Sequence, residues 1–211
     1  KSNLTLQTPK SFNSRFNVDV RINNEVISID RENKSVLVKN TKTNETYTET
    51  YDKLILSPGA EPIKPAIDGF ESEKVFTLRN IPDTYKIKDY IYNNNPKSAI
   101  IVGGGYIGVE MAENLKKTGL DVTIVEMANQ VIAPIDYDIA CDVHSVLRQN
   151  GIKLMLSTTV TAIKETENSL VVKLNSGEIS ADMLIMSIGV RPETKIAKDC
   201  GLLCNERGGI I

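Results

Sequence analysis

The sequence predicts an α/β fold with a parallel sheet and an antiparallel β-meander, and three observations support this. Short apolar runs alternate with helical periodicity between residues 98 and 156. Each run stops at a glycine or a polar turn. Beyond them the pattern changes to closely spaced strands, at Thr159–Lys164, Leu170–Leu174 and Glu178–Ser180, with a turn at 175–177 before the last.

The first 60 residues are expected to form short strands. Alternating apolar and polar residues predict strands at Val18–Ile22 and Glu25–Ile29, and Ser35–Val38 repeats the pattern. The segment Asn40–Glu49, rich in Thr and Asn, is expected to be a turn. Tyr51–Ala60 is expected to be a buried strand that ends at a Pro-Gly break.

The remaining elements follow from proline, glycine and apolar spacing. Residues 58–69, rich in Pro and Gly, predict a linker, and Pro82 predicts a helix start with its end near Asn93. A second helix is expected over Asp136–Asn150, and parallel strands over Ile152–Leu156 and Met183–Met186. At 100° per residue, one arc of the helix expected over Asp136–Asn150 carries five apolar residues: Ile139, Ala140, Val143, Val146 and Leu147.

A glycine motif lies between the strand that begins at Ser98 and the next helical segment. Gly103, Gly105 and Gly108 have the spacing G-x-G-x-x-G. The first glycine permits a tight turn, the second lets the backbone approach a pyrophosphate, and the third lets helix and strand pack closely. The helix N-terminus then presents free N–H groups to the phosphates. The sequence therefore predicts a dinucleotide-binding site.

A second strand, Asp121–Val125, is followed by the carboxylate of Glu126. A carboxylate about 20 residues beyond the glycine motif is placed to bind a ribose 2′-hydroxyl. The residues after it, 127–130, include no arginine or lysine that could bind a 2′-phosphate. The sequence therefore predicts a preference for NADH over NADPH.

Composition excludes several classes of function. The net charge of −2, without a long basic run, argues against nucleic-acid binding. The apolar runs are too short to span a membrane.

The three cysteines, Cys141, Cys200 and Cys204, form no disulfide framework or metal-ligand pattern, so we expect spectator thiols and a reduced, cytoplasmic setting. His144, the single histidine, is expected to have a structural role and no catalytic one.

Three motifs in order resemble the pyridine nucleotide-disulfide oxidoreductases, and within them the single-cysteine branch of coenzyme A-disulfide reductases, NADH oxidases and NADH peroxidases. They are Tyr51-Asp-x-Leu-Ile-Leu-Ser-Pro-Gly59, Gly103-x-Gly-Tyr-Ile-Gly-x-Glu110 and Ser187-Ile-Gly-Val-Arg-Pro192. The resemblance implies an internal fragment with three parts. Residues 1–78 would be part of an FAD-binding domain, 79–190 a Rossmann-like NAD(H)-binding domain, and 191–211 the start of a second FAD-domain segment.

The resemblance also implies roles for individual residues. Tyr106 would cover the flavin and swing aside for nicotinamide, although it could instead simply cap the helix. Ile107, Glu110 and Gly189 would lie along the NADH site, although Glu110 could face solvent and Gly189 could be an ordinary turn glycine. The expected flavin contacts are Val26, Ser57, Pro58, Gly59 and Arg79.

The implied activity of the whole protein is transfer of hydride from NADH to FAD, and then to a cysteine-based centre outside this chain. No catalytic residue and no metal site is expected here, FAD should be lost from the fragment, and the fragment alone should be inactive. The acceptor would be a small disulfide, peroxide or oxygen, and the whole protein a homodimer. A coenzyme A-disulfide reductase is the first hypothesis. An NADH oxidase or peroxidase and a non-catalytic NADH-sensing module are the alternatives.

Overall fold

The computed structural model describes residues 5–211, so residues 1–4, at the start of the predicted first segment, lie outside the described part. Within it the helices are α1 (Pro9–Phe16), α2 (Ile81–Asn94), α3 (Tyr106–Lys117), α4 (Tyr137–Gln149) and α5 (Lys195–Asp199). The strands are β1 (Asn24–Asp30), β2 (Ser35–Asn40), β3 (Thr46–Thr50), β4 (Ala60–Pro62), β5 (Val75–Thr77), β6 (Ser98–Val102), β7 (Asp121–Val125), β8 (Lys153–Met155), β9 (Val160–Glu165), β10 (Leu170–Leu174), β11 (Gly177–Ala181), β12 (Met183–Met186) and β13 (Val190–Pro192).

The chain forms two compact units. The central unit is Ala60–Arg191, and the terminal unit comprises the residues up to Gly59 together with Pro192–Ile211. Residues 60–78, grouped with the preceding segment in the sequence-based division, lie in the central unit because β5 is an edge strand of its sheet.

A five-stranded parallel sheet, in the order β5-β12-β6-β7-β8, is the centre of the central unit. Each neighbouring pair runs parallel, so the carboxyl ends of all five strands lie at one edge. The three-stranded antiparallel meander β11-β10-β9 completes the unit. The predicted fold class, α/β with a parallel sheet and an antiparallel meander, is confirmed.

Both faces of the parallel sheet are buried, which explains its continuous apolar strands. Alternate side chains of β6, such as Ile101, pack in one cluster with residues of α2, α3 and α4. The others, such as Ile100, pack in a second cluster with Leu170 and Val172 of the meander. The meander therefore covers the face of the sheet that these helices leave uncovered.

The buried face of α4 differs from the predicted arc. Ala140, His144 and Leu147 are buried, whereas Ile139 and Val146 are 53% and 56% exposed. At 100° per residue the buried face is centred roughly 70° from the centre of the predicted arc, and the sequence pattern missed it because the buried polar residue His144 takes the place of an apolar one.

The terminal unit contains the antiparallel sheet β1-β2-β3. The predicted strands at 25–29 and 35–38 are present, but the predicted turn Asn40–Glu49 is wrong in its second half, which belongs to β3. The unpredicted helix α1 begins after a capping box in which Thr8 accepts a hydrogen bond from the Ser11 amide.

Two predicted strands of the terminal unit are wrong. Val18–Ile22 is not a strand, and its three apolar side chains are 36–62% exposed. Residues 51–59 are also not a strand, and Ile55 is 89% exposed. Alternation makes a strand only when another strand pairs with it, and no such partner occurs within residues 5–211.

Candidate functional site

The glycine turn lies at the carboxyl end of β6, between that strand and α3. Gly103 has φ +101°, and a Cβ there would lie 2.4 Å from the carbonyl oxygen of Ser187. A Cβ at Gly108 would lie 2.0 Å from the carbonyl oxygen of Gly103. These two glycines are therefore required by the packing of the turn itself, independently of any ligand.

Gly105 differs from both. Its φ is −72°, which any residue can adopt, and a Cβ there would meet no heavy atom within 4 Å. The space beside Gly105 is open, so nothing within residues 5–211 accounts for the absence of a side chain. A pyrophosphate that approaches the backbone at this point would account for it.

The N-terminus of α3 provides the charge that such a ligand needs. Gly105 is the N-cap residue, and no side chain of the described part of the chain caps the helix. The amides of the first turn lack partners within the helix, and they carry the positive end of the helix dipole. With the open space at Gly105, this arrangement fits the pyrophosphate of a dinucleotide.

Glu126 follows β7 and is joined to the turn. Its Oε2 accepts a hydrogen bond from the Gly104 amide at 2.5 Å, and its Oε1 accepts one from the Ala128 amide at 2.7 Å. An ionised carboxylate has about four acceptor positions, so two remain for the hydroxyls of a ribose. Glu126 therefore holds the turn in place and keeps acceptors available beside it.

The other residues predicted for NADH lie near this turn in the fold. Tyr106 and Ile107, in the first turn of α3, are 60% and 42% exposed, and Glu110 is exposed one turn later. Gly189 follows β12 at the same edge of the sheet, with φ +111°, and its carbonyl accepts a hydrogen bond from the Ile63 amide at 3.0 Å. These geometries leave the gating role of Tyr106 a prediction.

The predicted flavin contacts are divided between the two units. Arg79 is exposed, after β5 and before α2 in the central unit. Val26, in β1, and the residues Ser57, Pro58 and Gly59 belong to the terminal unit. Gly59 has φ +80°, and its carbonyl accepts a hydrogen bond from the Glu193 amide. The flavin-contacting roles of these residues stay predictions.

The three cysteines carry free thiols. Cys141, Cys200 and Cys204 are partly buried and form no disulfide. The residues that the structure describes contain no group of His, Cys, Asp and Glu side chains that could hold a metal ion. Between residues 5 and 211 no helix is both long enough and apolar enough to cross a membrane.

Sequence reasoning missed two supports of the turn. The Ser187 hydroxyl lies 3.0 Å from the carbonyl oxygens of both Val102 and Gly103. His144 accepts a hydrogen bond from the amide of Val131, whose side chain packs against Gly104. Neither residue lies next to the glycine motif in the sequence, so only the fold could reveal its role.

Comparison with known proteins assigns this arrangement to a family. A family model described as pyridine nucleotide-disulphide oxidoreductase matches residues 4–211. The chain is 38% identical over 199 residues to an NADH oxidase of Methanocaldococcus jannaschii, covering 94% of this chain and 44% of that protein. It is 35% identical over 204 residues to a coenzyme A disulfide reductase of Staphylococcus aureus, covering 96% and 45%. The chain thus spans a little under half the length of these relatives.

Solved structures give the same result. Reduced Bacillus anthracis CoADR-RHD has 49% identity and a TM-score of 0.93, over 99% of this chain and 37% of that chain. A water-forming NADH oxidase from Lactobacillus brevis bound to NADH has 29% identity and a TM-score of 0.86, over 98% and 45%. A five-substitution variant of that oxidase, an engineered water-forming NADPH oxidase bound to NADPH, has 28% identity and a TM-score of 0.89, over 98% and 45%.

Proposed function

The chain belongs to the pyridine nucleotide-disulphide oxidoreductase family, and from this membership we propose that its central unit is the NADH-binding part of an FAD-dependent disulfide reductase. Members of the family are oxidoreductases that use NAD(H) and FAD. The observation that carries the proposal is the open space at Gly105 beside the uncapped N-terminus of α3.

Main-chain amides and side chains of this unit bind and orient the coenzyme. The first-turn amides of α3 bind the pyrophosphate, and the remaining acceptor positions of Glu126 bind the adenine ribose. Tyr106 and Gly189 lie toward the nicotinamide end. When bound, NADH supplies a hydride that FAD accepts, and the protein contributes orientation rather than the chemistry itself.

Glu126 makes NADH the preferred coenzyme. The 2′-phosphate of NADPH would bring negative charge beside this carboxylate, and juxtaposed like charges cost binding free energy. The following side chains, from Met127 to Gln130, include no cation that could offset the repulsion. We expect NADH to bind at least about tenfold more tightly than NADPH, a difference of about 1.4 kcal/mol.

Titration of both reduced coenzymes into the parent chain and into Glu126→Arg tests the proposal. The substitution also removes the acceptor for the amides of Gly104 and Ala128, so it loosens the turn and weakens both coenzymes. The ratio of the two dissociation constants is therefore the informative quantity. We expect it to shift toward NADPH in the variant.

A matched control is Glu178→Arg, which makes the same change of charge at an exposed position of β11 in the meander. This variant should keep the parent ratio. Equal affinities of the parent chain for the two coenzymes, or an unchanged ratio in Glu126→Arg, would refute the proposed role of Glu126. Absence of NADH binding by the parent would refute the function.

For the whole protein, we propose reduction of coenzyme A disulfide. Support comes from the 49% identity to the Bacillus anthracis protein and the 35% identity to the Staphylococcus aureus reductase. An NADH oxidase is the second candidate, since the Methanocaldococcus jannaschii relative is 38% identical. Consumption of NADH by the full-length protein, with coenzyme A disulfide under nitrogen and then with oxygen alone, distinguishes the two. The homodimer implied by the resemblance and the cytoplasmic location expected from the cysteines stay predictions.

A further inference from the structure

His144 is a buried polar residue within an otherwise apolar helix face. It lies on α4 and is 3% exposed. Its Nε2 accepts a hydrogen bond from the backbone amide of Val131 at 3.1 Å. Because Nε2 is the acceptor, the neutral ring carries its proton on Nδ1. The ring therefore anchors a segment of main chain that belongs to no helix or strand.

That segment clamps the glycine turn. The Ile132 amide donates to the carbonyl oxygen of Gly104 at 2.7 Å. A Cβ at Gly104 would lie 2.9 Å from Cγ1 of Val131, so the Val131 side chain packs against Gly104 in space that a larger residue would need. Gly104 is also the residue whose amide donates to Glu126. The position of residues 131–132 therefore determines where the middle of the turn lies.

The clamp is held in a strained conformation. Ile132 has φ +50°, which is a genuine outlier for a β-branched residue. Such a conformation is energetically unfavourable and persists only where the surrounding structure over-determines it. The hydrogen bonds of Val131 to His144 and of Ile132 to Gly104 lie on adjacent residues and provide that restraint.

We propose that His144 is a positioning residue for the coenzyme: by holding Val131 it fixes the clamp on Gly104 and so keeps the glycine turn in its binding geometry. The inference rests on the proposed binding of NADH and extends it to a residue on another helix. A leucine of similar size would fill the same space, but it would leave the buried Val131 amide without an acceptor.

The charges around His144 favour its neutral form. Burial lowers the pKa of the imidazole first, and the charge of Arg148 on the same helix lowers it further. Further charged side chains are Asp138 and Asp142 on the same helix, Glu126 and Asp136 in the preceding connection, and Lys153 on β8, which packs against the helix. A neutral ring is what the clamp requires, because a protonated Nε2 could no longer accept the Val131 amide.

Calorimetric titration with ADP-ribose, which carries the adenosine and pyrophosphate of NADH but no nicotinamide, tests the proposal. We expect His144→Leu to weaken binding about fivefold, the effect of one lost hydrogen bond, and His144→Gln, whose amide oxygen can accept the Val131 N–H, to stay within about twofold of the parent. The matched control is Leu147→Val, a buried change on the same helix face, which should lower stability without changing affinity.

Amide NMR provides a second measurement, made on the parent chain and on His144→Gln. The Val131 and Ile132 amide resonances should shift as the pH is lowered, with the same midpoint as the His144 ring, and His144→Gln should abolish that shift. The proposal would be overturned if His144→Leu bound ADP-ribose as tightly as the parent does, or if His144→Gln lost as much affinity as His144→Leu. It would also be overturned if the Val131 and Ile132 amide resonances did not shift with the titration of the ring. Failure of the parent chain to bind ADP-ribose would instead contradict the proposed function.

Discussion

Gly105 offers a substitution that should separate folding from coenzyme binding. In Gly105→Ala the new Cβ enters open space, and the φ of −72° is normal for alanine. Because alanine leaves the unfolded chain fewer conformations than glycine does, the substitution stabilises the folded state by about 0.4–1 kcal/mol. Alanine is a poorer N-cap than glycine, by about 0.5–1 kcal/mol. The two terms oppose each other, so we expect the free energy of unfolding to change by less than about 0.5 kcal/mol.

The same methyl group should interfere with the coenzyme. It projects beside the first turn of α3, where we propose that the pyrophosphate approaches the main-chain amides. A displaced phosphate loses charge-assisted hydrogen bonds, which contribute about 1.5–3 kcal/mol each. We therefore expect the dissociation constant for NADH to rise at least about tenfold in Gly105→Ala.

The assay pairs urea unfolding with an NADH titration. The chain contains no tryptophan to report unfolding by fluorescence, so far-UV circular dichroism follows unfolding, and the fluorescence of NADH follows binding. Gly108→Ala is the contrast, because its Cβ would lie 2.0 Å from the Gly103 carbonyl oxygen and should cost about 1–3 kcal/mol of stability. Parent-like NADH affinity in a normally folded Gly105→Ala would refute the placement of the pyrophosphate.

Three further outcomes are expected. The purified chain should be colourless, because its sequence carries a single G-x-G-x-x-G motif where the family uses two, and flavin released in stoichiometric amount on denaturation would contradict this. Serine at all three cysteines should leave the NADH dissociation constant unchanged, as the thiols lie outside the glycine turn. His144 has a lowered pKa, so below pH 6.5 the unfolded chain binds a proton that the folded chain resists. The free energy of unfolding should therefore fall as the pH drops through that range, and less so in His144→Gln, as urea titrations at several pH values would show.

The parts of the fold that the sequence predicted are those determined by local pattern. The parallel strands are continuous apolar runs because both faces of their sheet are buried, and such runs are visible without a structure. The meander was predictable because its strands are close in sequence and separated by turn residues. The glycine motif was predictable because close backbone approach excludes every other residue at Gly103 and Gly108.

The wrong predictions concern elements that depend on distant partners. The alternation at 18–22 matches that of β1, yet only β1 has a strand beside it. On α4 the hydrophobic pattern favoured Ile139 and Val146, whereas the buried position belongs to His144, whose polarity is compensated by the Val131 amide. A buried hydrogen bond between residues far apart in sequence leaves no periodic signal.

The distinction between local pattern and distant partners also explains which part of the proposed coenzyme site can be predicted from a sequence. The proposed recognition of the pyrophosphate uses main-chain N–H groups, and the only sequence trace of such groups is the glycines that let the backbone turn. The side chains that hold those groups in place, Glu126, Ser187 and His144, act at 2.5–3.1 Å from three separate elements. Glu126 is proposed to bind the ribose as well, but the residue types of Ser187 and His144 are not fixed by the ligand, because any donor or acceptor of suitable reach would serve there. It follows that affinity for NADH in this chain can be altered at positions that never touch it, and that such positions are found from hydrogen bonds to the turn rather than from the motif.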